Sequence, residues 1–186
     1  LERFNMQGQS LHIYLKRPVV LAVGAFTEQK RMNLAIKAVA QMKGVSLLMV
    51  GGGGDLKEKL NIQGKSLLGD RFEITSVPFE KMPEVYRAAD VFTLPSASSE
   101  AFGNVLVEAM ATDLPVVATD NPIRREIVGD AGIFIDPTNT DGYAKALQKA
   151  LDTNWGDKPR KQAEKFSWDE IANKYEEFFK NLIKKE

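Results

Sequence analysis

Short apolar runs alternate with longer amphipathic stretches along most of the chain. Six of these runs are predicted strands, at residues 18–23, 45–50, 72–77, 91–94, 115–118 and 131–135. Uninterrupted apolar runs are typical of strands covered on both faces, as in parallel sheets. Because the stretches between them have helical spacing, the pattern predicts an α/β fold with a Rossmann-like, doubly wound parallel sheet of six strands.

Capping residues and breaks predict where several helices begin and end. Asn33 can cap a helix that stops at Gly44, and a short helix is expected from Asp55 onward. Further helices are predicted at residues 80–89, 141–151, 159–166 and 168–185. Ser167 is the predicted cap of the last one.

The last predicted helix has an apolar stripe but no following strand to cover. The stripe consists of Ile171, Tyr175, Phe178, Phe179 and Leu182. It either packs on the sheet or docks on a domain outside this sequence. We expect packing on the sheet, because exposed stripes of this size are uncommon in monomers.

The length and composition fit one soluble globular domain. The chain has 186 residues, of which 44% are hydrophobic and 27% charged, which is enough for one domain with a full core. Residues 1–17 lack a sustained period and are interpreted as an interdomain linker, so that residues 18–186, including the C-terminal helices, form the domain. No apolar run approaches the roughly 20 residues that a membrane-spanning helix needs.

The charge balance and the residue types limit the possible partners. Lys and Arg together number 25, as do Asp and Glu, so no net charge attracts nucleic acid or an anionic membrane, and any phosphate site must be local. The absence of cysteine excludes a disulfide framework and fits a reducing cytosol. His12 is the only histidine, and we interpret it as a surface residue rather than part of a catalytic triad or a metal site.

Residues 94–119 contain the pattern that points most directly to a binding site. A strand, a polar loop, an apolar helix and a second strand follow each other, with Glu100 in the loop and Glu108 in the helix. In an open α/β sheet, ligands bind outside the carboxyl ends of the strands, where the strand order reverses. The loops at residues 24–32 and 95–103 are expected to flank that crevice.

The helix start in this stretch can bind an anion. Gly103 and Asn104 open the helix, so backbone N–H groups and the positive end of the helix dipole face the crevice, although an ordinary helix start has the same sequence. Lys30, in the neighbouring loop, is either a solvated lysine or a cation for a phosphate. The glycine run at residues 51–54 is a weak dinucleotide motif, because the third glycine of that motif is missing.

The two glutamates are candidates for binding hydroxyl groups. Glu108 lies one helical turn after Asn104, and helical side chains lean toward the N-terminus, so its carboxylate is expected to face the crevice. It would repel a phosphate, which makes a ribose diol the better partner. Glu100 can accept hydrogen bonds from sugar hydroxyls in the same way, or be a solvated loop acid.

Several segments, in order, resemble the retaining GT-B glycosyltransferases of the large family 4. Residues 94–119 resemble the family signature, in which two glutamates separated by seven residues follow a Pro-Ser loop. Similarity to the family's strand regions extends over residues 23–40, 47–54, 85–96 and 125–137, and residues 1–4 are similar to the end of its interdomain linker. Several ordered matches are more specific than any single motif.

The resemblance implies that the chain is the C-terminal, donor-binding half of a two-domain enzyme. Members of this family transfer a sugar from a nucleotide-diphosphate sugar to a sugar or lipid-linked acceptor, with retention of configuration. The implied partner is a missing N-terminal acceptor-binding domain, without which the fragment is expected to be inactive. No metal or other cofactor is implied, and the expected location is the cytoplasm, with any membrane association arising from the missing half.

The resemblance also implies a role for each residue of the predicted site. Lys30 is assigned to the donor diphosphate, Glu100 to hydroxyls of the transferred sugar and Glu108 to the ribose, and Lys30 and Glu100 are the predicted catalytic residues. The backbone at the helix start is assigned to sugar and phosphate. The full predicted donor-binding set is Gly24, Lys30, Glu100, Phe102, Gly103, Asn104, Val105 and Glu108.

The chain departs from the family pattern at four places, one of which is Ala101, where a glycine is frequent. Ala25 stands where the family commonly has an arginine beside the diphosphate, so half of the usual cation pair is missing unless Arg31 or another basic residue substitutes. Asp113 stands where a helix-ending glycine is frequent, and Asp tolerates the left-handed conformation better than most residues. Residues 121–126 replace a common glycine pair and resemble a mannosyltransferase-like variant.

Three other functions stay open at this point. The loss of the arginine at Ala25 is compatible with a degenerate nucleotide-sugar binding or partner-docking module without catalysis. A dinucleotide-dependent oxidoreductase would bind NAD at the Gly51 turn, where the motif match is poor. A sugar epimerase or a phosphorylase of related fold is the third, and a phosphorylase would need a pyridoxal-bearing lysine that no motif identifies.

Overall fold

One parallel sheet organises the chain. The computed structural model describes residues 1–97 and 102–183. The strands of the described residues are β1 (Val19–Val23), β2 (Ser46–Val50), β3 (Phe72–Thr75), β4 (Val91–Leu94), β5 (Val116–Thr119) and β6 (Gly132–Ile135). Their order is β3-β2-β1-β4-β5-β6, and every neighbouring pair is parallel. The predicted α/β, doubly wound, six-stranded sheet is confirmed, and its switch point lies between β1 and β4.

Helices cover both faces of the sheet. They are α1 (Met32–Ala40), α2 (Lys57–Leu68), α3 (Met82–Arg87), α4 (Asn104–Ala111), α5 (Pro122–Val128), α6 (Thr140–Asp152), α7 (Lys158–Glu164) and α8 (Trp168–Ile183). Short 3-10 turns at Glu28–Lys30, Gly69–Arg71, Phe79–Lys81 and Gly129–Ala131 join some of them to their neighbours. Among the described helices, none is long and apolar enough to cross a membrane.

The buried strands separate two apolar cores. Alternate residues of β1 belong to different cores, with Leu21 in one and Val20 in the other. The first core packs against α3, α4, α5 and α7, and the second against α1, α2 and α6. All five residues of β1 are buried, because helices cover both of its faces, which explains the uninterrupted apolar runs in the sequence.

The start of the first helix differs from its prediction. Asn33 is not its cap, because α1 begins at Met32 and Arg31 precedes it in the left-handed conformation, with φ of 47°. The 3-10 turn before it already directs the chain into the helix, since the Arg31 N–H donates to Glu28 O at 3.1 Å. The helix ends at Ala40, before the predicted stop at Gly44.

Three other element bounds also differ from the predictions. The second helix, α2, has 12 residues rather than being short. It begins after Gly53 and Gly54, whose φ angles of 72° and 87° keep the chain in a turn. The predicted helix at 80–89 is a 3-10 turn followed by α3, and β3 ends at Thr75 because Ser76 leaves the sheet and its hydroxyl donates to Gly51 O.

The predicted packing of the last helix on the sheet is wrong. The stripe residues Tyr175, Phe178 and Phe179 are 61%, 58% and 56% exposed. The preceding helix, α7, packs against α4 and α5. Ser167 does cap α8, as predicted, because its Oγ accepts from the Glu170 N–H at 3.2 Å.

The N-terminal segment lies along α3. Residues 1–17 form neither helix nor strand, yet Phe4 is buried in the first core. The Leu11 N–H donates to Glu84 O at 2.8 Å, and the Arg87 guanidinium donates to the carbonyl oxygens of Asn5 and Gln9 at 3.0 and 2.8 Å. The segment is therefore packed on the domain, and its role as an interdomain linker stays a prediction.

Candidate functional site

A cavity of about 310 Å³ opens at the carboxyl ends of β1, β2 and β3, beside α4. We call it the crevice cavity. It is lined by Val23, Gly24, Val50, Gly51, Gly52, Ser76, Val77, Phe79, Met82, Val105 and Glu108. Its wall is largely apolar or backbone, and Glu108 is the only carboxylate among the described residues that line it. Three predicted donor-binding residues, Gly24, Val105 and Glu108, therefore meet here.

A second cavity of about 400 Å³ lies on the other side of Glu108. We call it the aromatic cavity. Its lining consists of Leu1, Phe4, Phe102, Asn104, Val107, Glu108, Phe166, Trp168 and Ile171. The predicted residues Phe102 and Asn104 line this cavity and not the crevice cavity. Of the residues that the structure describes, Glu108 alone borders both cavities.

Glycines bring the strand ends close together on the floor of the crevice cavity. A Cβ on Gly51 would come within 1.8 Å of Gly24 O, so only glycine fits there. A Cβ on Gly24 would come within 3.4 Å of Lys30 Cε. The Lys30 side chain therefore passes over Gly24, which lines the cavity, and its role as a cation for the donor diphosphate stays a prediction.

The start of α4 has the geometry of an anion site. Gly103 precedes the helix in the left-handed conformation, with φ of 75° and ψ of 67°, which glycine adopts without strain. The first turn of α4 follows directly, and its backbone N–H groups lie at the switch point of the sheet.

Phe102 is 40% exposed, and its ring stands edge-on to Phe166 with the centroids 5.6 Å apart.

The rest of α4 is apolar except for one carboxylate. Leu106, Ala109 and Met110 are fully buried, whereas Val105 is only partly buried and faces the crevice cavity. Asp113, after the helix, has φ of 58°, so it adopts the left-handed conformation that was predicted for it. The carboxylate of Glu108 is therefore presented by a rigid element with an otherwise apolar inner face.

Glu108 is held by a tyrosine that was not predicted as a site residue. The Tyr86 hydroxyl donates to Oε2 of Glu108 at 2.7 Å. Burial raises the pKa of Glu108, whereas the hydrogen bond from Tyr86 and the charge of Arg3 act to lower it. The pKa of Tyr86 is well above its usual value because of its own burial and the nearby Glu108 charge, so it stays a neutral donor. A buried tyrosine needs a hydrogen-bond partner for its hydroxyl. This requirement is the one feature from which the sequence could have indicated a role for Tyr86.

A buried arginine holds the loop that follows β4. The Arg124 side chain, only 1% exposed, donates to Ser96 O at 3.1 Å, to Ser96 Oγ at 2.7 Å and to Ala97 O at 3.2 Å. The Thr119 hydroxyl donates to the same Ser96 carbonyl at 2.9 Å, and the Ala97 N–H donates to Gln29 O at 2.8 Å. The start of the loop is thus tied to β5, α5 and the β1 loop.

The predicted sugar-binding Glu100 lies outside the described residues. Arg31, the alternative cation for the position of Ala25, lies within them. Nη2 of Arg31 donates to Ser96 O at 3.0 Å. Its Nε is buried and has no hydrogen-bond partner among the described residues. Arg31 therefore supports the loop after β4, which argues against its use as a substitute for the arginine missing at Ala25. Within the described residues, no cluster of acidic or histidine side chains could hold a metal ion.

The chain matches a known protein family over nearly its whole length. The model for "Glycosyl transferases group 1" matches residues 5–181. An uncharacterized glycosyltransferase of Methanocaldococcus jannaschii is 30% identical over 185 residues, covering 92% of this chain and 46% of the relative. A D-inositol 3-phosphate glycosyltransferase of Mycobacteroides abscessus is 33% identical over 166 residues, covering 83% of this chain and 37% of the relative. The chain thus spans less than half the length of these relatives.

Solved structures share the fold. Sucrose-phosphate synthase from Thermosynechococcus elongatus aligns with a TM-score of 0.74 and 29% identity, covering 91% of this chain and 46% of that one. HepE from Anabaena, in complex with UDP and glucose, aligns at 0.73 with 23% identity over 89% of this chain and 48% of its own. The C-terminal domain of LpcC from Francisella tularensis aligns at 0.62 with 23% identity, covering 87% and 88% of the two chains.

Proposed function

The chain belongs to the group 1 glycosyl transferases, and we propose that it is the donor-binding half of a retaining glycosyltransferase. The proposed reaction transfers a sugar from a nucleotide-diphosphate sugar to a sugar or lipid-linked acceptor. The observation that carries the proposal is the Glu108 carboxylate, which borders the crevice cavity at the switch point of a GT-B-like sheet, beside the start of α4.

The lining of the crevice cavity supports the proposal of a bound nucleotide whose base lies at the β3 side and whose ribose lies at Glu108. Val77, Phe79 and Met82 form an apolar wall at the β3 side, which suits a base. Glu108 lies across the cavity on α4 and can accept hydrogen bonds from both hydroxyls of a ribose. The N–H groups at the start of α4 and the Lys30 side chain are the proposed partners of the diphosphate.

Stabilisation of the leaving diphosphate is the proposed contribution of this half to catalysis. Negative charge develops on the diphosphate as the bond to the sugar breaks, and fixed donors and cations lower that barrier. Arg31 is tied to Ser96, which leaves Lys30 and the start of α4 as the proposed source of this stabilisation. Glu100 is the proposed partner of the transferred sugar, and Arg124 fixes the start of the loop that carries it.

The proposal also concerns the longer protein that the relatives indicate. Because the chain spans less than half the length of its relatives, the acceptor is proposed to bind to a second, N-terminal domain, and the chain alone to bind donor without transferring it. We propose a cytoplasmic enzyme that uses no metal or other cofactor, with any membrane association carried by the other domain. Family membership argues against the NAD-dependent oxidoreductase.

Saturation-transfer NMR with UDP-, GDP- and ADP-sugars tests the proposal. The HepE structure holds UDP and glucose, so the UDP-sugars come first. We expect the base and ribose protons of at least one nucleotide sugar to receive saturation, and the matching nucleoside diphosphate to displace it. Full-length protein should transfer the sugar and keep its anomeric configuration. Absence of saturation transfer from all three classes would refute the donor site.

A second candidate rests on Ala25. With one cation of the pair replaced by a methyl group, the chain could bind a nucleotide sugar without catalysing its transfer. Turnover by the full-length protein distinguishes the two functions, because a degenerate binding module gives saturation transfer but no product with any sugar or lipid acceptor.

A further inference from the structure

Tyr86 has little freedom to move. It is fully buried on α3, with the ring of Phe4 edge-on at 5.9 Å and the ring of Phe92 tilted at 5.9 Å between centroids. Packing of this density fixes the ring, and the ring fixes the position of its hydroxyl. The hydroxyl is directed at Oε2 of Glu108 on the neighbouring helix α4.

The carboxylate of Glu108 needs such a donor. A partly buried carboxylate on an apolar helix face favours its protonated form, and burial raises its pKa accordingly. The Tyr86 hydrogen bond and the positive charge of Arg3 oppose this effect. They favour the ionised form, which accepts hydrogen bonds and donates none.

We infer that Tyr86 is a positioning residue that orients the Glu108 carboxylate for the ribose hydroxyls of the donor. The inference rests on the proposed function, because it assumes a nucleotide in the crevice cavity. A hydrogen bond to Oε2 fixes the plane of the carboxylate, and each carboxylate oxygen has two acceptor positions. The acceptor positions of the Glu108 carboxylate that face the cavity are thereby held in an orientation that can accept hydrogen bonds from two neighbouring hydroxyl groups.

Tyr143 offers a matched control. It too is fully buried, and its hydroxyl lies 2.6 Å from Thr93 Oγ1. It belongs to the core on the other face of the sheet and lines neither the crevice cavity nor the aromatic cavity. Tyr143→Phe therefore removes a buried, hydrogen-bonded hydroxyl of the same kind without touching the site.

The test compares ribose and dideoxyribose ligands by calorimetry. UDP, GDP and ADP are titrated first, and the tightest ligand is then compared with its 2′,3′-dideoxy counterpart. Tyr86→Phe should lower the affinity for the ribonucleoside diphosphate by on the order of 5- to 10-fold. It should change the affinity for the dideoxy counterpart by less than about twofold. Tyr143→Phe should leave the ratio of the two affinities at its wild-type value. Thermal unfolding of both variants checks that they fold.

A double-mutant cycle gives an independent readout. In a Glu108→Gln background, Tyr86→Phe should cause no further loss of ribose preference, because the two residues act through one contact. The inference is overturned if Tyr86→Phe weakens both ligands equally or changes neither. If Tyr86→Phe leaves the ratio of the ribose and dideoxyribose affinities unchanged while the nucleotide still binds, only the role of Tyr86 is contradicted. If the wild-type chain binds none of the three diphosphates, the proposed function is contradicted as well.

Discussion

Nη2 of the buried Arg124 lies 2.7 Å from Oγ of Ser96, so an arginine in the core holds the loop after β4. The same guanidinium reaches two backbone carbonyls of that loop. A buried arginine is costly unless its donors are bonded, and here the loop supplies the acceptors. The position of the start of this loop therefore depends on a residue outside both cavities.

Replacing Arg124 should destabilise the chain. Arg124→Met leaves the carbonyl oxygens of Ser96 and Ala97 with fewer donors, and we expect a loss of about 2–4 kcal/mol in the free energy of unfolding. Urea denaturation measures it. Arg125→Met is the control, because Arg125 is exposed and paired with Asp120 at the surface, where ion pairs contribute little. Equal midpoints for the two variants would contradict the role of Arg124.

Two adjacent glycines should respond differently to alanine. In Gly51→Ala the added Cβ meets the Gly24 carbonyl, whereas at Gly52 nothing lies within 4 Å of it. Overpacking of this kind costs about 1–3 kcal/mol, because the ends of β1 and β2 must separate. We expect urea midpoints to fall for Gly51→Ala and to stay near the wild-type value for Gly52→Ala. The opposite ranking would show that the strand ends are farther apart than described.

Glu108 should lower the stability of the ligand-free chain at neutral pH. Its folded pKa is raised by burial, so the folded state favours the protonated carboxyl, and stability from this group is lost as the pH rises through the raised pKa. Glu108→Gln should therefore increase Tm at pH 8, with a smaller gain at acid pH. Calorimetric scans across that range measure it, and a destabilised variant at pH 8 would contradict this origin of the shift.

Restoring the missing arginine should tighten nucleotide binding. Ala25→Arg places a guanidinium near Lys30, and a charge-assisted hydrogen bond to a phosphate is worth about 1.5–3 kcal/mol, or roughly 10- to 150-fold in affinity. The gain should shrink at high salt. Gln148→Arg adds the same charge at an exposed position of α6 that lines neither cavity, and it should have no effect. Equal affinities for Ala25→Arg and the wild type would place the diphosphate elsewhere.

The sequence was sufficient for the architecture of the sheet. Continuous apolar runs such as β1 and β2 require cover on both faces, and their alternation with helices leaves few topologies. The same reasoning placed Glu108 at the switch point, because helix geometry alone turns its side chain toward the crevice. These features depend on local pattern and on general rules of chain connection.

Features that depend on contacts between distant segments were not predictable in this way. Tyr86 and Glu108 are 22 residues apart, and Arg124 and Ser96 are 28 apart. Each pair meets only after the sheet has formed. The packing of the α8 stripe was misjudged for the same reason, since the sequence does not show that α7 packs against α4 and α5.

The most direct test of the central claim is a calorimetric titration of the wild-type chain and Glu108→Ala with UDP, GDP and ADP. Glu58→Ala, which removes an exposed carboxylate on α2, is the control. We predict that at least one nucleoside diphosphate binds to the wild type and to Glu58→Ala with equal affinity, and that Glu108→Ala binds it at least about tenfold more weakly. Binding of none of the three, or equal binding by Glu108→Ala, would contradict the account.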